Sequence, residues 1–319
     1  MLLCMDETLK NYTPCLKKCP YCKNAAVKKN GLRRKIQHYK CLNCGKQFQN
    51  KRREQKLQQK IFSDHVWKRQ TTKDLAESYG RSIDWIRKTL DKAELKRPPQ
   101  ESTGKVVLVF DATHFGSDTL LVARAPHLKK NVGWMWICEE TKENYSLLRQ
   151  DIERRGYILQ AVILDGRTGI PRVFEGMPIQ ICQFHMLQIV RRKLTLRPET
   201  EAGKELLTIG LNIVKYDRKK LERDLNIWFT KHEKFLHEKS YPLGTKRWRY
   251  THRRVRSAYA SLKKNTPFLF TYQEHPELNI PNTTNSLDGY FSRVKNLLSA
   301  HRGKSRERIR KIVTEILRN

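Results

Sequence analysis

The pattern of apolar and polar positions changes character along this 319-residue chain. Val106–Phe110 (VVLVF) is an unbroken apolar run that predicts a strand buried on both faces, closed by Asp111. Strand-like runs follow at Thr119–Ala123 and Val132–Cys138, then a segment of helical spacing at Lys142–Arg155. A second short apolar strand, Ala161–Leu164, is closed by Asp165. Ile179–Cys182 reads as one more strand and leads into a helix from about His185 to Leu194. The order β-β-β-α-β-α-β-α predicts an α/β fold: a mixed sheet whose first three strands form a meander and whose later strands arrive through helical crossovers.

Residues 195–278 lose the alternation. They are basic and helical in spacing, and predict an all-helical insertion with Trp228 and Trp248 in its core. After Pro281, the residues Leu287, Phe291, Val294 and Leu298 mark the apolar stripe of a last helix over residues 279–319. Upstream, Leu75 and Ala76 belong to a helix closed by Gly80, and Ser82 caps a second helix with Ile83, Ile86 and Leu90 on one face. A small residue four before a turn glycine lets two helices cross closely, so residues 56–97 are expected to form a helix-turn-helix. Its second helix would offer Arg81, Arg87 and Lys88 to a DNA groove. Residues 98–104, opening with Pro98-Pro99, read as a linker to the core that begins at 105.

Within residues 1–55, Cys19-Pro-Tyr-Cys22 and Cys41-Leu-Asn-Cys44 are two close cysteine pairs separated by eighteen residues. Each pair sits on a tight turn, and four thiolates so spaced suit a tetrahedral structural Zn²⁺. The segment between them has a turn signal at Asn30-Gly31 and a strand beginning at Ile36, the pattern of a zinc ribbon. Arg33, Arg34 and Lys35 make this ribbon basic.

Charge then sharpens the picture. Lys and Arg number 65 against 32 Asp and Glu, a formal net charge of +33 spread over the whole chain. Such an excess attracts a polyanion, and double-stranded DNA is the expected partner. No apolar run approaches the roughly 18 residues of a membrane span, and the first ten residues lack the basic start of a secretory signal. Four of the eight cysteines form the two pairs and the other four are scattered singly, which argues against a disulfide framework.

The acids supply the candidate chemistry. Asp111 and Asp165 close the two strands expected to lie centrally, at the same end of the sheet. Like charges placed together are costly unless a cation lies between them, which is the warrant for a Mg²⁺ site. Asp288 and Lys295 are seven apart on one helix and share a face, so Asp288 could complete that site.

Taken together, VVLVF-Asp111, AVIL-Asp165, Cys182-Gln-Phe-His185, Asn285-Ser-Leu-Asp288 and Lys295 resemble the motifs of bacterial insertion-sequence transposases of the DDE type. The resemblance is to their Mutator-like branch, in the variant with an N-terminal zinc-binding domain, and it spans nearly the whole chain. It implies a ribonuclease H-like core carrying the helical insertion, with catalytic acids Asp111, Asp165 and Asp288 holding Mg²⁺ or Mn²⁺. It also implies that Lys295 binds phosphate and that Cys182 and His185 form a structural motif. Recognition of terminal inverted repeats and target DNA, a homodimer or higher assembly on DNA, and a bacterial cytoplasmic, nucleoid-associated location follow from the same resemblance. One residue departs from the pattern: the family has Glu where this chain has Asp288. Glu277 is the nearest upstream acid but lacks the Asn-x-x spacing. Two further readings are a non-catalytic DNA-binding regulator with a decayed core, and a metal-dependent nuclease without strand transfer.

Overall fold

The computed structural model of the protein describes residues 18–33, 36–49, 52–95, 103–241, 244, 247–301 and 303–318. The chain divides into two compact units, residues 1–94 and 95–319.

The first unit opens with a three-stranded antiparallel sheet in the order β1 (Val27–Arg33), β2 (Ile36–Cys41), β3 (Gln47–Gln49). Asn30-Gly31 is not the hairpin turn that its sequence suggests. Pairing passes from Lys29↔Tyr39 to Leu32↔Gln37, so both residues face His38 as a bulge within β1, and Gly31 takes the left-handed φ of 77° that the bulge needs. Cys19, Tyr39 and Cys41 are the buried apolar residues among those described here. A core so small does not hold a sheet without a cross-link or metal.

Three helices follow: α1 (Arg52–Trp67), α2 (Thr72–Tyr79) and α3 (Ile83–Lys92). Thr71 and Asp74 form a reciprocal capping box at the start of α2. Gly80, at φ 58°, ends that helix with its N–H on the carbonyls of Ala76 and Glu77. The Ser82 hydroxyl then accepts the Trp85 N–H at 3.2 Å and starts α3. Ile61, Val66, Leu75, Ile86 and Leu90 are fully buried, whereas Ile83, expected on the same face, is exposed in the first turn.

The second unit is built on a five-stranded sheet: β4 (Lys105–Phe115), β5 (Asp118–Ala125), β6 (Lys130–Ile137), β7 (Ile158–Leu164) and β8 (Ile179–Ile181). Its order is β6-β5-β4-β7-β8, with β4, β5 and β6 antiparallel and β7 and β8 parallel to β4. This is the mixed, ribonuclease H-like sheet that the motifs imply. Residues 106–110 of β4 and 161–164 of β7 are buried throughout, as central strands covered on both faces must be. Helix α4 (Lys142–Arg154) makes the crossover from β6 to β7. It lies so close to β6 that a Cβ at Gly133 would meet Leu148 and Ile152 side chains at 3.0 Å.

Helix α5 (Gln183–Leu194) leads into the insertion: α6 (Glu201–Leu211), α7 (Arg218–His237), a two-residue pairing of β9 (Lys239–Ser240) with β10 (Arg249–Tyr250), α8 (Arg253–Leu269) and the short α9 (Thr271–Glu274). Among the described residues, the regular elements of the insertion are therefore helical except for this small ladder. Trp228 is buried, donating its indole N–H to the Ala202 carbonyl at 3.0 Å. Trp248, expected in the core, is instead 47% exposed just before β10, with Lys239 Nζ 4.1 Å from its ring centroid. The chain closes with α10 (Asn285–Ser299) and α11 (Arg306–Leu317). Arg306 and Arg310 of α11 both grip the buried Asp118 at the start of β5. No helix among the described residues is long and apolar enough to cross a membrane.

Candidate active site and metal centre

Each cysteine pair of the first unit stands on a knuckle. The Lys23 N–H bonds the Cys19 carbonyl, and the Gly45 N–H bonds the Cys41 carbonyl. Lys23 and Gly45 both have left-handed φ, 59° and 70°. The four sulfurs lie within 4.8 Å of one another, with Cys19 Sγ 3.6 Å from Cys44 Sγ and Cys22 Sγ 3.5 Å from Cys41 Sγ. Around a metal with bonds of about 2.3 Å to sulfur, the edge of a tetrahedron is about 3.8 Å, so the cage already has the dimensions of a four-thiolate site. Its electrostatics agree. The Asn24 backbone N–H and the neighbouring thiols draw Cys22 down to about 6. At Cys44 the backbone N–H of Lys46 favours the thiolate, but burial and the crowding of Cys22, Cys19 and Cys41 win and push it up to about 11. Cys19 is lowered as well, by the backbone N–H groups of Cys22 and Tyr21 and by the Cys44 thiol acting against burial. These four cysteines could hold a metal ion.

The aspartates of the second unit meet at one end of the sheet. Asp111 does not close β4; it lies inside it. The parallel ladder with β7 reaches only Val109↔Ile163, after which β4 continues against β5 alone to Phe115↔Asp118. Asp111 is the second residue beyond that divergence. Its Oδ1 accepts the Ala112 N–H at 2.9 Å. Burial first, then the charge of Asp288, drive this carboxyl from 3.8 up to about 7 against the Ala112 N–H and His185, with Asp165 adding the smallest contribution.

Asp165 follows β7 directly. Gly166, at φ 88°, turns the chain so tightly that a Cβ would stand 2.9 Å from Ile181 Cγ2, and the Arg167 N–H returns to Asp165 Oδ1 at 2.9 Å. The Arg167 side chain also reaches Glu140 Oε2 at 2.9 Å and Asp165 Oδ2 at 3.9 Å. Glu140 is raised by its burial and by Asp165, with Arg167 opposing. Tyr145, buried on α4, is held well above its usual value by burial and by Asp165, Glu140 and Asp111.

Asp288 arrives on the first turn of α10. Its partner Thr284 is fully buried, and the Thr284 hydroxyl donates to Asp288 Oδ2 at 3.0 Å. The same hydroxyl lies 3.3 Å from His185 Nδ1 and 3.4 Å from Cys182 Sγ, and the Thr284 N–H donates to that sulfur at 3.3 Å. Cys182 itself caps α5 by accepting the His185 N–H. Gln183 adds a backbone bond to the Asn282 carbonyl at 3.0 Å. The Cys-x-x-His turn is thus a clasp that fastens the start of α10 to the end of β8. The Cys182 thiol, then Asp111 and Asp288, outweigh burial and raise His185 to about 9, so this imidazole is cationic at neutral pH.

Asp111 therefore lies within electrostatic reach of Asp288, His185 and Asp165. The only group of three or more His, Cys, Asp or Glu side chains with ligand atoms mutually within 4.8 Å, among the described residues, is the cysteine cage. The three aspartates are neighbours rather than a closed cage. Glu277 stays apart from them, exposed in the 3-10 turn Pro276–Leu278 and 3.2 Å from His275. Lys295, two turns along α10 from Asp288, is exposed with its Nζ 6.0 Å from the Phe115 ring at the end of β4. A groove of about 300 Å³ runs from Asp165 and Arg167 along one face of α5, past His185, Gln188 and Arg192.

The other predicted DNA-contact residues belong to the first unit. Arg33 is exposed at the end of β1; Arg34 and Lys35 lie outside the described residues. Arg81, Arg87 and Lys88 are exposed, Arg81 over the Trp85 ring at 5.3 Å and Arg87 paired with Asp84 at 3.3 Å. Sequence reasoning missed Thr284, Glu140, Arg167 and Tyr145. The threonine pair ahead of Asn285 was the one visible signal; the others carry no motif.

No family model matches the chain, and no curated protein does either. Among solved structures, the fold is similar to the Drosophila P element transposase of a strand transfer complex, with a TM-score of 0.39 and 12% identity over 87% of this chain and 94% of that one. It is also similar to the catalytic core domain of BIV integrase, with a TM-score of 0.21 and 13% identity over 54% of this chain and 97% of that one. Likenesses of this strength carry no information on activity.

Proposed function

We propose that the protein is a DDD-type DNA transposase, which cleaves DNA strands at terminal inverted repeats and joins them to target DNA. The observation that carries this reading is Asp111: a carboxyl pushed up to about 7 by burial and by the charges of two other aspartates, at the divergence of the sheet's central strands. Such a cluster is unfavourable as a structural feature and becomes favourable around divalent cations.

Asp111, Asp165 and Asp288 are the residues that would hold Mg²⁺ or Mn²⁺. Bound there, such ions supply a nucleophile from water or a DNA 3′-hydroxyl at neutral pH and stabilise the leaving oxygen. The protein's own part is positioning and charge. Thr284, clasped by Cys182, orients the Asp288 carboxylate. The Gly166 turn and the Arg167 N–H orient Asp165. His185 brings positive charge beside Asp111 and Asp288, where a phosphate approaches. The groove past Gln188 and Arg192 offers a path for the strand, and Lys295 a phosphate contact on the other side.

The cysteine cage would hold one structural Zn²⁺, and the ribbon and helix-turn-helix would bind the terminal repeats through Arg33, Arg34, Lys35, Arg81, Arg87 and Lys88. Cutting and joining two DNA ends together requires at least a homodimer on DNA. A bacterial nucleoid-associated, cytoplasmic location accords with this activity. The test is strand cleavage and strand transfer on paired terminal-repeat DNA with Mg²⁺. Wild-type protein should yield both products and Asp111→Asn neither. Cleavage without joining would leave a nuclease; DNA binding with neither would leave a regulator.

A further inference from the structure

A second cavity lies well along the insertion from the aspartates. It holds about 420 Å³ between α7 and α8, within the roughly 300–1,000 Å³ of small-molecule sites. Its apolar wall includes Phe229 and Tyr259, whose rings stack at 5.1 Å and 20°. Arg256, Lys263 and Lys264 bring positive charge to it, and no carboxylate is among its lining residues. Lys263 Nζ stands 5.8 Å from the Phe229 ring centroid and 5.7 Å from that of Tyr259. Exposed Ala260 leaves the mouth open.

An aromatic wall beside several cations is the chemistry that recognises a nucleobase with its phosphate. The direction of α8 identifies the source. Lys264 Nζ lies 3.5 Å from Thr168 Oγ1, three residues beyond Asp165. A strand whose phosphate sits at Asp165 can therefore continue over Lys264 into the cavity. We infer that the α7–α8 cavity binds an unpaired nucleotide of the DNA substrate, the base against Phe229 and Tyr259 and its phosphate at Lys263 and Lys264. This rests on the DNA-processing reading above but not on the chemistry assigned to the aspartates.

The test uses the full chain and two labelled duplexes, one blunt and one ending in unpaired nucleotides that include 2-aminopurine. The unpaired end should bind about tenfold more tightly than the blunt one, with the 2-aminopurine fluorescence quenched by stacking. Ala260→Trp fills the cavity from an exposed position and should abolish both effects while leaving blunt-duplex affinity unchanged. Lys263→Glu, also at an exposed position, should remove the preference without filling the cavity. Equal affinity for the two duplexes, or a preference that survives Ala260→Trp, overturns the inference. Binding of deoxyadenosine monophosphate that Ala260→Trp abolishes, with no preference for the unpaired end, would assign the cavity to a free nucleotide instead. Loss of the catalytic reading with the preference intact leaves this inference standing; blunt-duplex binding without preference sinks this inference alone. Failure to bind any DNA removes both.

Discussion

Replacing Asp111 by Asn should make the metal-free protein more stable while ending its activity. Asn keeps the shape of the side chain and removes the charge that Asp288 and Asp165 oppose. A carboxyl whose value is 3.8 in the unfolded chain and about 7 in the folded one binds its proton more tightly when folded. Between those values the native state holds the extra proton, so stability falls as pH rises from about 4 to about 7 and stays low above that. At about 1.4 kcal/mol per pH unit the full cost is about 4.5 kcal/mol, and about 2–4 kcal/mol allows for local relaxation. For a unit of this size that is a difference of roughly 5–15 °C in Tm. The assay is thermal unfolding in EDTA at pH 5 and pH 8, with and without Mg²⁺. The two proteins should differ less at pH 5, where only about 1.2 of the roughly 3.2 pH units between the two values have been crossed, than at pH 8. At pH 8 without metal the Asn variant should melt higher, and Mg²⁺ should raise the wild type far more than the variant. An Asn variant no more stable than wild type at pH 8, or one that gains equally from Mg²⁺, would refute the account of Asp111 as a charge awaiting a cation.

Cys22→Ser should reduce bound zinc to well below one ion per chain by metal analysis, and in wild type zinc retention should fall as pH drops below about 6, where the Cys22 thiolate is protonated. Asp288→Glu should retain or raise strand cleavage, whereas Asp288→Asn should eliminate it with DNA affinity unchanged in a gel-shift measurement. Gly166→Ala must accommodate a φ of 88° and a methyl 2.9 Å from Ile181 Cγ2, so it should lower stability by more than about 1 kcal/mol in urea unfolding and disable cleavage through Asp165. Arg87→Ala with Lys88→Ala should weaken terminal-repeat binding and flatten its dependence on salt by about one phosphate contact each, as read from log Kd against log salt concentration.

Much of this protein was legible in its residues because the relevant physics is local. Two cysteine pairs on tight turns announce a metal cage whatever surrounds them. VVLVF and AVIL, each followed by an aspartate, mark central strands because only a strand covered on both faces tolerates an unbroken apolar run. Gly80 and Ser82 end one helix and start the next through bonds within a few residues of themselves. The contacts that shape the site are of another kind. Thr284 reaches Cys182 across about a hundred residues, and nothing in either segment names the other. Glu140 becomes part of the centre only because Arg167, on the next strand's loop, turns toward it. Asp111 lies within a strand rather than at its end because β7 stops short of it, and strand length is decided by the partner. Trp248 is exposed because the insertion folds a two-residue ladder where composition indicated helix alone. Spacing along the chain determined which residues could act; the pairing of distant segments determined which of them meet, because that depends on where each partner ends.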